Sequence, residues 1–429
     1  MIRPNLPSGI VEYIPKNYTK FQNLRAIVSK VYHSYGYLSL ETSILQNLET
    51  LSSGGEISKE VYSIGRAKAE EGSEELSRGL RFDLTKPLAR YIAQNHGQIG
   101  FPFKRSEIGL VYRGERPQRG RFRQFYQADY DVIGRETLAL DYDAEMIEVA
   151  ASVFEALDIG QVVIRFNNRK LLQAIIESYG VGAEQFSATL IYIDKLEKVG
   201  VEATKESLVS LGITLTNVSK IITTVIQKIE LAQIPEFLEK IEGEGELLQQ
   251  ARNEVQTVSE LISAEQKNVT IMLDLSIVRG LEYYTGTVFE TNLVGFEQYG
   301  SVCSGGRYEN LVEDFANVSF PGVGGSVGLT RLFAIFEDEN LEFSNVSAKD
   351  ILVYVAIASP ERSQASREYA RRLRSQGNIV YVAASHNKLK KQFELAAKIN
   401  IDEVHILEAD GTVTIKTMTT GEQRQEALS

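Results

Sequence analysis

The chain has 429 residues, of which 43% are apolar and 24% charged, with a formal net charge of −11. That length allows two or three domains with ample core, and the acidic balance excludes nucleic-acid binding by bulk charge, so any RNA contact must come from local basic patches. A single cysteine, Cys303, excludes an internal disulfide and a thiolate metal cluster.

The histidines His33, His96, His386 and His405 are scattered, which does not point to a zinc site or a histidine base. No apolar run approaches the ~18 residues of a membrane span, and Met1-Ile2-Arg3-Pro4 does not open a signal peptide. A cytoplasmic protein is expected.

In chain order, Tyr18–Tyr35 carries Phe21, Leu24, Ile27, Val28, Val31 and Tyr32 at helical spacing, and Gly36 stops it. Tyr37–Thr42 reads as a short strand; helix and strand together suit a core element or a dimer-forming one. Leu80–Thr85 reads as a strand entering a helix at Lys86–Asn95, with Thr85 at the N-cap and Pro87 in the first turn. Asp83 and Thr85 point the same way, and Arg81 on that face is a candidate partner for Asp83.

The stretch Tyr112–Asp131 dominates the sequence. Arg113, Arg116, Arg119, Arg121 and Arg123 crowd between Ile108–Tyr112, which is apolar, and Phe125–Ile133, which alternates with period two. Gly114 and Gly120 bracket a Pro-containing turn, so an antiparallel hairpin with a basic, mobile tip is expected. Phe125, Gln127, Asp129 and Asp131 share one face, with Gln127 and Asp131 about 13 Å apart at roughly 3.3 Å per residue. Tyr126, Ala128, Tyr130 and Val132 share the other. The first face suits a ligand with a heterocycle, phosphates and a cationic end; a solvated hairpin or generic RNA binding also fits this stretch alone.

Ala144–Leu157 is a further amphipathic helix and Val162–Phe166 a strand. From Asn168 to about Lys267 the pattern is helical and acidic, without catalytic spacing, and reads as an insertion in a β-rich body. The β-rich pattern returns at Val269–Leu275, followed by VRGLEYYTGTVFE (Val278–Glu290), GSVCSGGRYENLV (Gly300–Val312) and PGVGGSVGLTRL (Pro321–Leu332). The last is neither a P-loop nor a dinucleotide fingerprint. Its glycines would let a strand lie close beneath a ligand. Beyond a polar linker at Glu337–Lys349, strands at Ile351–Ala358, Ile379–Ala383, Val404–Glu408 and Thr412–Thr417 alternate with helices at Pro360–Gly377 and Asn387–Ile399. That is a small α/β domain.

With these pieces placed, the chain resembles the histidyl-tRNA synthetase family of class II aminoacyl-tRNA synthetases over essentially its full length. ERPQRGRFRQFYQ resembles motif 2 and PGVGGSVGLTRL motif 3, while RGLEYYTGTVFE and SGGRYENLV resemble the two histidine-specific peptides. The resemblance implies an α+β fold: a six-stranded antiparallel sheet flanked by helices over residues 1–338, with the helical insertion at about 168–267. It further implies an α/β anticodon-binding domain at 350–429 and a C2 homodimer. The activity implied is ATP-dependent formation of histidyl-adenylate and transfer of histidine to tRNA(His), with Mg²⁺ carried by ATP.

Residue by residue, the resemblance implies Arg279 and Arg113 as the catalytic cations. ATP would be held by Arg113, Glu115, Arg121, Phe125 and Arg331. Asp83 and Thr85 would take the histidine α-amino group, and Gln127, Asp131, Tyr283 and Tyr284 would line the amino-acid pocket. Arg116, Gln118 and Arg119 would meet the tRNA acceptor end. Ser43 stands where the family's motif 1 has a proline, Glu282 where an aspartate is usual, and Ser304 where Gly or Ala is usual. The last domain is short of the family's final helix. A non-catalytic histidine-sensing paralogue, of the ATP phosphoribosyltransferase regulatory type, is the alternative; it would typically lack the motif 2 arginines, the histidine peptide and the anticodon domain.

Overall fold

The computed structural model of the protein describes residues 3–52, 60–66, 77–243, 245–262, 267–278, 284–309, 312–313, 315–341, 352–383 and 388–427. The chain divides into two units, Met1–Asn345 and Val346–Ser429. The first begins with α1 (Pro15–Ser34), which has Pro at its N-terminus and buries Phe21, Leu24, Val28 and Tyr32 at helical spacing. Short elements follow: β1 (Leu38–Ser39), β2 (Leu45–Asn47), α2 (Leu48–Ser52), β3 (Ser63–Ile64) and β4 (Arg78–Leu80). Then come α3 (Thr85–Asn95), the long hairpin β5 (Phe103–Tyr112) and β6 (Gln124–Ile133), α4 (Asp141–Leu157) and β7 (Val162–Asn168).

The segment between β7 and the next long strand holds α5 (Arg169–Ser178), α6 (Ala183–Asp194), α7 (Leu196–Val199), α8 (Val201–Ser210), α9 (Leu215–Val225), β8 (Lys228–Glu230), α10 (Ile234–Lys240) and α11 (Glu246–Leu261). The unit closes with β9 (Val269–Asp274), β10 (Thr287–Leu293), β11 (Cys303–Tyr308), β12 (Gly322–Val327) and α12 (Leu329–Glu339).

Among the described residues, the main sheet runs β1-β5-β6-β12-β11-β10-β7-β9-β8. Its middle six strands, β5 to β7, pair antiparallel throughout. Parallel pairings of β1 to β5 and of β7 to β9 extend this six-stranded sheet at each side. The helical insertion shares the body's core: Leu171, Ile175, Val255 and Val258 belong to the same apolar cluster as Phe154, Phe289 and Phe333. Its strand β8 also joins the main sheet through β9. The insertion therefore packs as part of the first unit.

Tyr126, Ala128, Tyr130 and Val132 pack into that cluster, which fixes the β6 register and turns Phe125, Gln127 and Asp129 to the opposite face. The glycines of β12 serve this packing. A Cβ on Gly324 would stand 2.1 Å from Asp131 Oδ1, and one on Gly325 would stand 2.4 Å from the Tyr130 hydroxyl. They make room for side chains of β6, where the sequence suggested room for a ligand.

The second unit contains β13 (Leu352–Ala356), α13 (Ser363–Ser375), β14 (Ile379–Val382), α14 (Leu389–Lys398), β15 (Glu403–Leu407), β16 (Thr412–Thr417) and β17 (Gln423–Ala427). Its sheet runs β14-β13-β15-β16-β17, parallel among the first three and antiparallel after them. Apolar clusters lie on both faces, one including Val353, Ala370 and Ile415 and the other Tyr354, Ala396 and Val404. Arg367, Arg371 and Arg374 on α13, and Lys390 and Lys391 on α14, are exposed. The strand β17 is fully exposed and was not expected, since QRQEA has no apolar alternation.

Candidate active site

A cavity of about 370 Å³ opens on the face of the sheet that carries Phe125 and Gln127. Its lining brings together Asp83 and Thr85 from the entry to α3, and Arg113, Glu115 and Arg121 from the β5–β6 connection. Phe125, Gln127 and Asp129 come from β6, Tyr284 from the approach to β10, Ser301–Ser304 from the start of β11, and Gly328 and Arg331 from the start of α12. Residues 197 positions apart in sequence, Asp129 and Ser326, meet here because β12 pairs directly with β6.

The arginines are held in place. Arg113 Nε donates to Phe82 O at 3.0 Å, one Nη reaches Gln127 Oε1 at 3.4 Å, and its guanidinium carbon lies 5.1 Å from the centre of the Phe125 ring. Such stacking orients a planar cation and leaves it its remaining donors. Arg331 Nε donates to Gly120 O at 2.8 Å and Nη1 to Ser301 O at 2.5 Å. Arg121 pairs with Glu115 at 3.3 Å.

The hairpin tip is pinned, contrary to the mobile tip the sequence suggested. Arg123 N donates to Gly9 O at 2.8 Å and Gly114 N to Glu60 O at 2.8 Å. Arg119 bonds the Tyr299 hydroxyl, stacks on that ring at 4.3 Å, and reaches Glu339 at 3.0 Å. Gly120 adopts φ +70°, a conformation that favours glycine. These acceptors come from distant parts of the chain, which local turn chemistry could not reveal. Arg116 and Gln118 remain exposed.

The entry to α3 also differs from expectation. Thr85 is the first helical residue, and no side chain of Leu84 caps the helix. Asp83 acts as the cap, accepting from Lys86 N at 3.0 Å. Arg81 does not pair with Asp83. Its Nη1 lies 2.7 Å from Glu107 Oε1, with both side chains 1% exposed.

Below the cavity lies a buried polar network. Arg105 stands 2.9 Å from Asp131 Oδ2 and 3.7 Å from Glu107 Oε2, and Tyr308 donates to Asp131 Oδ1 at 2.9 Å. Asp131 is thus engaged by protein groups and stands outside the cavity lining, whereas the resemblance put it in the amino-acid pocket. Asp129, two residues earlier on the same face, lines the cavity. Strand parity had placed Asp129 on that face but did not distinguish it from Asp131. Burial pushes the Asp129 carboxyl up to about 8, with Asp131 adding to the effect and Arg105 opposing it. Burial likewise raises Asp83, opposed by the Lys86 amide and Arg113. Gln127 Nε2 donates to Ser326 Oγ at 2.8 Å. Arg279 and Tyr283 lie outside the described residues.

The arrangement can bind an anionic, planar ligand against Arg113, Arg331 and Phe125, and a cationic group against Asp83 and Asp129. A family profile described as histidyl-tRNA synthetase matches residues 9–332. A histidine–tRNA ligase from Xanthomonas campestris pv. campestris (strain 8004) is 39% identical over 451 residues, covering 99% of this chain and 94% of the relative. A crystal structure of histidyl-tRNA synthetase from Nostoc sp. PCC 7120 superposes with a TM-score of 0.88 at 35% identity, covering 100% of this chain and 97% of that one. An ATP phosphoribosyltransferase regulatory subunit/histidyl-tRNA synthetase from Bacillus halodurans C shares the fold, with a TM-score of 0.75 at 19% identity and coverage of 95% and 98%. On the full-length match and the profile, the chain belongs to the histidyl-tRNA synthetase family.

Proposed function

We propose that this chain is a histidine–tRNA ligase, which activates L-histidine with ATP to histidyl-adenylate and passes histidine to tRNA(His). The observation that carries this reading is the near-full-length identity of 39% to a histidine–tRNA ligase, over a cavity that faces arginines toward carboxylates. The histidine carboxylate attacks the α-phosphorus in line and pyrophosphate leaves. No base is required, because the nucleophile is already ionised. Catalysis is positioning and neutralisation of charge. Arg113 lies on Phe125, which suits an α-phosphate beside a stacked adenine, with Glu115 at the rim. Arg331 and Arg121 suit the outer phosphates.

Mg²⁺ supplies further neutralisation when it arrives on the nucleotide. That fits a lining in which Arg113, Arg121 and Arg331 come together. No helix of the described residues is long and apolar enough to cross a membrane, in keeping with a cytoplasmic enzyme. The exposed apolar side chains Leu38, Ile44, Leu45 and Ile64, around β1 to β3, support a homodimer. The exposed basic side chains of α13 and α14 support the second unit as the anticodon-binding module.

Histidine-dependent exchange of pyrophosphate into ATP tests the whole reading. Exchange is expected with histidine and Mg²⁺ and not with other amino acids. Binding of histidine without exchange would make the chain a sensor of the regulatory type.

Arg116 and Gln118 lie on the exposed hairpin tip together with Arg119, which supports contact with the tRNA acceptor end. Replacing Arg116 and Arg119 together with alanine is expected to weaken aminoacylation and flatten its salt dependence while sparing pyrophosphate exchange. Equal loss in both half-reactions would place the pair in ATP binding.

A further inference from the structure

We propose that Asp129 binds the α-ammonium group of the amino-acid substrate, sharing that cation with Asp83; the inference rests on the histidine-activating reading and adds a residue to it. Asp129 lines the cavity yet is only 3% exposed, and among the described residues its Oδ1 has no hydrogen-bond partner. A carboxylate buried in this state is costly unless a ligand completes it.

Arg105 and the Ser326 hydroxyl ease that cost without offsetting it. Arg105 and Arg81 carry two positive charges, and Glu107 and Asp131, which pair with them, carry two negative ones. The network beneath the cavity is therefore balanced without Asp129. Gln127, the next residue on the same face, already donates to Ser326 and accepts from Arg113. Asp131 is held by Arg105 and Tyr308. Asp129 is the carboxyl that stands outside that balance, on the wall that also carries Asp83 and Thr85.

At neutral pH the only full positive charge on histidine is its α-ammonium, since an imidazole titrates near 6.5. An ammonium has three donors, and Asp83, Thr85 and Asp129 each offer an oxygen acceptor. The groups facing Asp129 are Asp83, Asp131, Arg105 and the Ser326 hydroxyl. Burial pushes its carboxyl up to about 8, which favours the protonated form. An arriving ammonium favours the ionised form, and the carboxyl proton passes to solvent as the substrate binds.

Calorimetric titration of the full-length protein and Asp129→Asn at pH 7 tests this, in two buffers of different ionisation enthalpy. The probes are L-histidine, histamine, which keeps the ammonium, and imidazolepropionate, which lacks it. The substitution is expected to weaken histidine and histamine roughly 10–100-fold, as for loss of a hydrogen bond to a charged group. Imidazolepropionate and ATP should bind as before. Wild-type protein should release a proton on binding histidine, and the variant should not. Undiminished histidine binding by the variant, or equal loss for all three imidazoles, would overturn the assignment. Wild-type protein that binds no histidine would instead overturn the histidine reading itself, before any variant is compared.

Discussion

Arg113→Ala is expected to slow single-turnover formation of histidyl-adenylate by about 10²–10³-fold, the loss of roughly 3–4 kcal/mol that removal of one preorganised charge contact typically brings. The size follows from how the side chain is held. Arg113 Nε is fixed to Phe82 O at 3.0 Å and the guanidinium lies on Phe125, so the cation needs little reorganisation when charge develops on the phosphate. Histidine affinity should fall much less than the rate, because the cationic end of the amino acid is assigned to Asp83 and Asp129. ATP affinity should fall modestly, since Arg331 and Arg121 remain. A near-wild-type rate at saturating histidine and ATP would remove Arg113 from the chemistry. A lysine at this position should recover only part of the rate, because an ammonium cannot stack on the ring or use the fork of donors.

The hairpin that carries Arg113 was legible because its two signals are local: alternation along Phe125–Ile133 and a Gly-Pro turn. Its first strand was legible only in part. Residues 103–107 carry Lys104, Arg105 and Glu107, and charge at alternate positions reads as loop. In the structure Arg105 and Glu107 are fully buried and paired with partners elsewhere. Those pairings are set by register. Arg105 faces Asp131 and Glu107 faces Asp129 across the two strands, and no local pattern in the sequence states that alignment.

The same limit explains why Asp129 lines the cavity and Asp131 does not. Both fall on the ligand face by parity. Only the third dimension shows that Arg105 and Tyr308 reach one of them and leave the other at the cavity wall. Capping at α3 was misassigned for a different reason: Asp83 and Thr85 are both good caps, and the choice depends on where the helix begins, which sequence fixes only to within a residue or two. The pinned hairpin tip depends on Gly9, Glu60, Tyr299 and Arg331, each more than 50 residues from the tip along the chain.

Glu107→Ala is expected to destabilise the first unit by about 3–5 kcal/mol, as for removing one partner of a buried ion pair. Glu107 is 2% exposed and accepts from Thr42 N at 3.0 Å, Thr42 Oγ1 at 3.0 Å and Arg81 Nη1 at 2.7 Å. Its other oxygen stands 3.7 Å from Arg105. Alanine leaves two buried guanidinium groups to share Asp131 and removes the acceptor from a buried backbone amide. A methionine or leucine would leave the same charges unmatched, so better packing cannot offset the loss. Urea unfolding followed by tyrosine fluorescence provides the measurement, with Glu236→Ala as reference. Glu236 pairs with Lys240 on an exposed helix face, both side chains at least 70% exposed, and its loss should leave the midpoint unchanged. A Glu107→Ala midpoint equal to that of the reference would mean that Asp131 alone satisfies Arg105. The same variant should lose exchange activity at temperatures where it remains folded. Arg105 would then draw closer to Asp131 and Asp129, and the negative wall that meets the substrate ammonium would be partly neutralised.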